Sequence, residues 1–196
     1  VGARLSSHLV KDFKDKSFSD EQIKIKLRGS AGQSLGAFGV KGLKFEVIGD
    51  CNDYVGKGLS GATIIIRPPK VSELETEKNT IIGNTVLYGA TSGYLFAAGQ
   101  AGERFSVRNS GATAVVEGAG TNACEYMTGG IAVILGEIGD NFAAGMTGGM
   151  AFAYDPNNNL ENIINPNSVI WQRIEVKYWE NLLKSLIERH VEETNS

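Results

Sequence analysis

The chain has 196 residues, 42% of them hydrophobic, 21% charged and 8% aromatic, the profile of one or two ordinary folded domains rather than a fibrous or disordered chain. Nineteen basic against 22 acidic residues leave a formal charge of −3, which argues against a nucleic-acid surface, and no apolar run approaches the ~20 residues of a membrane helix. Two cysteines, Cys51 and Cys124, make neither a disulfide framework nor a zinc site by themselves, so a reducing, cytoplasmic setting is expected.

The chain opens on Val1-Gly2-Ala3-Arg4 without methionine or signal pattern, as expected of a piece excised from something longer. The run 5–13 predicts a short helix with Ser6 or Ser7 near its cap. Ile23, Ile25 and Leu27 then alternate with Lys24 and Lys26, the pattern of an entering strand. Residues 1–28 are thus an N-terminal helix and a strand that leads into the body of the domain.

From residue 29 glycine sets the organisation. There are 25 glycines, well above the usual ~7%, and Gly42, Gly61, Gly93, Gly111, Gly130 and Gly149 lie 19, 32, 18, 19 and 19 residues apart. The long gap holds a polar insert, 68–80; without its 13 residues the step is again 19. A second ladder, Gly99, Gly118 and Gly136, keeps steps of 19 and 18. After each glycine of the first ladder the first, third and fifth residues are apolar: Leu43, Phe45, Val47; Ala62, Ile64, Ile66; Tyr94, Phe96, Ala98; Ala112, Ala114, Val116; Ile131, Val133, Leu135; Met150, Phe152, Tyr154. Period-two alternation marks strands with one apolar face. Strands of about five residues cannot bury that face alone, but stacked at ~4.8 Å they share a core and pair their backbones. The expected fold is all-β: a right-handed, single-stranded parallel β-helix of six to seven coils over 29–155.

The intervening positions, such as Leu95, Ala97, Ala132, Ile134, Ala151 and Ala153, are also small or apolar, so the outer face needs a cover, either the chain's own helix or a neighbouring domain. Asn52, Asn122 and Asn141 follow corner glycines and are candidates for a stacked amide ladder, with plain asparagine turns the alternative. Residues 156–196 form a linker and an amphipathic helix, with Trp179, Leu182, Leu183, Leu186, Ile187 and Val191 on its apolar face. His190, at the edge of that face, reads as packing or as a partner of the helix dipole.

Three motifs look like chemistry. Gly56–Gly61 and Gly118–Ala123 match the dinucleotide fingerprint, but neither precedes a helix that could receive a pyrophosphate. Gly32-Gln33-Ser34-Leu35-Gly36 matches a nucleophile elbow, yet His8 and His190 stand near opposite ends of the chain. All three read as glycine corners. No catalytic, cofactor-binding or metal-binding residue is nominated, and the inventory is that of a scaffold.

The runs GDCNDYVGKGLSG (49–61) and NSGATAVVEGAG (109–120), with similarity along essentially the whole chain, resemble the C-terminal GXGXG domain of the glutamate synthase large subunit. The resemblance implies a β-helix that scaffolds an oxidoreductase making glutamate from glutamine and 2-oxoglutarate. It also implies two partners in the same enzyme, a glutaminase domain with a cysteine nucleophile and a synthase domain carrying FMN and an iron–sulfur cluster. Neither Cys51 nor Cys124 lies in a motif of those domains, so no cofactor is expected here. The alternative is a free-standing interaction subunit of a multi-subunit oxidoreductase, like the C subunit of formylmethanofuran dehydrogenase. An isolated fragment with bare apolar faces is expected to self-associate.

Overall fold

The computed structural model describes residues 1–12, 19 and 21–196. In chain order the strands are β1 (Ile23–Arg28), β2 (Leu43–Ile48), β3 (Ser60–Arg67), β4 (Thr80–Ile82), β5 (Ser92–Ala97), β6 (Gln100–Ala101), β7 (Ser110–Val116), β8 (Thr128–Ile134) and β9 (Gly148–Ala153). One wall is a parallel sheet in the order β1-β2-β3-β5-β7-β8-β9. A second wall is narrower: Ala31, Cys51, Ile82, Ala101, Ala119 and Ile138 bridge in parallel from coil to coil, with β4 pairing β6 inside that column. The chain is a parallel β-helix of about seven turns.

The third wall is an arch that composition does not announce. In each coil three alternate residues take left-handed φ near +60°: Ser34, Gly36 and Phe38; Tyr54, Gly56 and Gly58; Thr85, Leu87 and Gly89; Arg104, Ser106 and Arg108; Asn122, Cys124 and Tyr126; Asn141, Ala143 and Gly145. Side chains are disfavoured there, and the hydrogen bonding between coils compensates. The first and third N–H of the trio donate to the following coil (Tyr54 to Asn84 O, 2.9 Å; Gly58 to Tyr88 O, 2.8 Å), while the second donates to the preceding one (Gly56 to Leu35 O, 2.8 Å).

The interior fills by complementary volumes. On the sheet wall the column Phe45, Ile64, Leu95, Ala114, Ala132, Ala151 shrinks along the stack. The arch answers with Gly36 and Gly56 where the sheet is bulky, then Leu87, Ser106 and Cys124. A Cβ on Gly36 would stand 2.6 Å from Ile64 Cδ1, so the small residue is what lets the large one fit.

Strand parity differs from expectation in three coils. Phe45 and Ile64 are interior, but Phe96, Val133 and Phe152 lie on the outer face, and Leu95, Ala97, Ala132, Ile134, Ala151 and Ala153 point inward. The cause is register. Thr63 pairs with Tyr94 and Thr113 with Ile131, although Ser60 pairs with Ser92 and Ser110 with Gly129. One extra residue in β3 and in β7 flips every side chain downstream relative to the glycine count.

The outer face is covered by the chain itself. Helix α1 (Ala3–Asp12) closes the first coil. It starts before the expected cap, so Ser6 is internal and its Oγ accepts the Val40 N–H (3.3 Å); Phe13, the expected last residue, lies outside the described residues. The expected linker contains a short helix, α2 (Leu160–Ile163). The Asp155 carboxylate holds its start by accepting the N–H groups of Asn159 and Leu160 (2.8 and 2.9 Å). At the far end Ile164 bridges Phe142. Helix α3 (Lys177–Thr194) lies along the sheet over the column Ile65, Phe96, Val115, Val133 and Phe152. Each such side chain taken out of water contributes about 1.5–3 kcal/mol. The face from which self-association was expected is thus occupied. The insert is tied down as well: its last residue, Thr80, begins β4, and Gln100 Nε2 donates to Glu77 O (2.7 Å).

Candidate functional site

The groups with chemical potential collect under the C-terminal half of α3. Its sheet-facing stripe is Trp179, Leu182, Leu183, Leu186, His190 and Thr194; Val191, expected on that stripe, is exposed. His190, 2% exposed, places Nε2 3.0 Å from Oε1 of Glu117, 6% exposed and just beyond β7. A carboxylate only accepts, so the shared proton sits on Nε2. Burial, the largest influence, pushes the Glu117 carboxyl up, but the polar groups of His190, Ser196 and Thr76 together outweigh it and hold the group below its ordinary 4.5. Glu117 Oε2 and His190 Nδ1 have no hydrogen-bond partner. His190 is therefore one half of a buried polar pair spanning 73 residues, not a dipole partner at a helix end.

Beside this pair is a polar pocket of about 250 Å³ lined by Lys24, Lys26, Lys44, Glu46, Arg67 and Glu193 among others. Lys44 Nζ bonds Glu193 (2.8 Å) and Glu21 (3.0 Å). Burial alone would lower its pKa, but the two carboxylates raise it. Glu46 bonds Arg67 (2.9 Å) and Lys26 (3.1 Å), which outweigh its burial and keep it ionised. Arg189 stacks 4.1 Å above the Tyr94 ring. Arg67 Nε has no hydrogen-bond partner among the described residues, but the ion pairs together make a polar clasp between α3 and the coils.

The cysteines sit apart, Cys51 in the narrow wall and Cys124 in the arch, both free. Burial pushes each thiol up to about 12. At neutral pH both thiols are therefore in the protonated form. Among the described residues no three His, Cys, Asp or Glu side chains are placed to share a metal ion, and no helix is long and apolar enough to cross a membrane. The three motifs fall in corners and arch: Gly56, Gly58, Ser34 and Asn122 are left-handed arch residues.

Of the ladder glycines, Gly42, Gly61, Gly93, Gly99, Gly130 and Gly149 have φ between +82° and +147°, whereas Gly111, Gly118 and Gly136 lie outside the left-handed region. At those three the obstacle is space: a Cβ on Gly111 would overlap the Thr91 carbonyl oxygen, on Gly136 the Glu117 carbonyl oxygen, and on Gly118 it would stand 2.6 Å from Gln100 Cγ. A further column, Gly83, Gly102, Gly120 and Gly139, meets the preceding coil just as closely; the last three floor a shallow groove of about 480 Å³.

Asn52 lies on the narrow wall while Asn122 and Asn141 stack in the arch, and their side chains make no hydrogen bond among the described residues. The link between coils runs instead through Asp53, whose Oδ1 accepts the Asn84 N–H, and Asn84, whose Oδ1 accepts the Glu103 N–H (both 2.8 Å). The buried amide is Asn109. Its Nδ2 donates to Ser106 Oγ (3.0 Å) and Ala112 O (2.9 Å), and its Oδ1 accepts the N–H groups of Gly111 (3.1 Å) and Ala112 (2.9 Å). Asn109→Ala leaves those buried groups unpaired. A loss of about 2–4 kcal/mol is expected in denaturant unfolding, and a change below ~0.5 kcal/mol would show that water replaces the amide.

A family model described as the GXGXG motif matches residues 1–196, and the chain belongs to that family. Over its full 196 residues it is 67% identical to the "Glutamate synthase [NADPH] large chain" of Azospirillum brasilense, covering 13% of that protein. It is 52% identical to the "Ferredoxin-dependent glutamate synthase" of Pyropia yezoensis, again covering 13%, and 50% identical to the "Glutamate synthase [NADH]" of Schizosaccharomyces pombe, covering 9%. The chain thus spans about an eighth or less of the length of these relatives.

Proposed function

We propose that this domain is the structural spacer of a glutamate synthase, the enzyme that makes glutamate from glutamine and 2-oxoglutarate. In this reading it holds a glutaminase domain and an FMN- and iron–sulfur-bearing synthase domain in register and does no chemistry of its own, in a cytoplasmic setting. The observation that carries the reading is the continuous ladder: seven parallel strands, a bridged second wall and a hydrogen-bonded arch around one filled core. Such a stack is a stiff rod, and six steps of ~4.8 Å set a separation of roughly 29 Å. The three relatives carry three different electron donors in their names while keeping half or more of these residues, as suits a part that does not read the donor.

The test uses the full-length large chain with Gly130→Val, which disturbs the contact between neighbouring coils. Glutaminase turnover and FMN content should persist while glutamate formed per glutamine hydrolysed falls at least several-fold. An unchanged ratio would defeat the spacer role. Selective loss of one half-reaction with the ratio of the remainder intact would place chemistry in this domain and overturn its inertness.

A further inference from the structure

Between α2 and α3 the chain carries a segment with a strand-like sequence that no described residue pairs. From residue 170 the even positions are Ile170, Gln172, Ile174 and Val176, and the odd ones Trp171, Arg173 and Glu175, a period-two pattern whose even face is the more apolar. The segment has no regular secondary structure, and every residue from 170 to 176 is exposed, Ile170 at 99%. Ser168 N–H still bonds Asn165 O, and Val176 O accepts from α3, but the backbone groups of residues 169–175 make no hydrogen bond with any described residue. A solvated linker has no need of this alternation. An amphipathic strand with its ladder edge and apolar face both open has the form used when a segment adds itself to another sheet.

We propose that residues 170–176 are a docking strand that pairs through its backbone with the open edge of a β-sheet in another domain of the same polypeptide. The assignment rests on the reading of this chain as one domain of a glutamate synthase large chain. That reading argues for a partner in cis, because roughly seven-eighths of such a chain lies outside these residues. Linkage then supplies a high effective concentration. The strand is also held ready. Ile164 is bridged to Phe142 at one end, α3 is clasped to the sheet at the other, and Arg173 Nη2 donates to Asn158 Oδ1 (2.8 Å) between them. Little ordering entropy is left to lose on docking.

Amide hydrogen exchange on the full-length large chain tests this. Amides of 170–176 should exchange at least about 100-fold slower than unstructured amides, a degree that requires a stable ladder. Ile174→Asp should return them to within about 10-fold of the unstructured rate while β5, β7 and β8 stay protected. Free exchange in an enzyme that still makes glutamate would overturn the docking strand and leave the parent reading standing. Protection that vanishes on dilution, with cross-links between copies, would overturn the partner in cis in favour of a second copy. A full-length protein that makes no glutamate from glutamine and 2-oxoglutarate would remove the parent reading, whichever way the amides exchange.

Discussion

Gly130→Val is expected to abolish cooperative unfolding of the domain, a loss of more than about 4 kcal/mol. Two costs coincide there. Gly130 holds φ +82°, where a β-branched residue is strongly disfavoured, and its Cβ would overlap the Ala112 carbonyl oxygen while standing 3.0 Å from Asn109 Nδ2. The neighbouring coil cannot retreat, because its own backbone bonds fix it on both sides. Gly111→Val should be comparably severe for the steric reason alone, through the Thr91 carbonyl oxygen. Gly89→Ala separates the two causes. Its φ is +63° but nothing lies within 4 Å of the added carbon, so it should cost only about 1–2 kcal/mol. Gly32→Ala, with open space and no left-handed φ, should be nearly silent. Denaturant midpoints for the four variants check the ranking, and equal costs at Gly130 and Gly89 would contradict the contact between coils.

That ranking shows what the glycine spacing encodes. A step of 18–19 residues reports coil length, and a missing Cβ reports where one coil touches the next, so the stack and most of its core can be read directly. Register cannot. The extra residues in β3 and β7 leave no compositional mark, and where inner and outer faces are both apolar, as at Leu95 and Phe96, either parity fits the pattern. The arch is hidden for another reason: most of its left-handed positions hold ordinary residues such as Tyr54, Thr85, Arg104 and Tyr126, tolerated because neighbouring coils fix their N–H groups. The side-chain links between coils at Asp53 and Asn84 have no such glycine spacing to mark them. Asn109 stands out only once its column, Leu59, Ala90 and Met127, is known to be buried. The Glu117–His190 pair joins positions 73 residues apart, and only the apolar edge of α3 marks where His190 points.

That pair is where a single substitution outside the glycines should cost most. His190→Ala removes the largest of the interactions that lower the pKa of a buried carboxylate, and breaking a buried pair from one side destabilises by about 3–5 kcal/mol. Glu117→Gln keeps the shape and removes the charge, so its loss should be smaller. The double variant should cost less than the two singles added, because neither leaves the other stranded. The pH dependence is set by the direction of the shift. Glu117 is held below 4.5 in the fold, so the stability it contributes is complete above the unfolded value and is lost as pH falls through the folded one. The stability difference between the native chain and Glu117→Gln should therefore shrink as pH falls below about 4.5. Lys44, Glu193, Glu21, Glu46 and Arg67 are common to both proteins, and comparing the two subtracts their titration. A difference that grows on acidification would mean that the carboxyl is protonated in the fold and that α3 is held by packing on Phe96 and Phe152 instead. In that case α3 would remain docked at low pH, with the cation–π contact between Arg189 and Tyr94 intact.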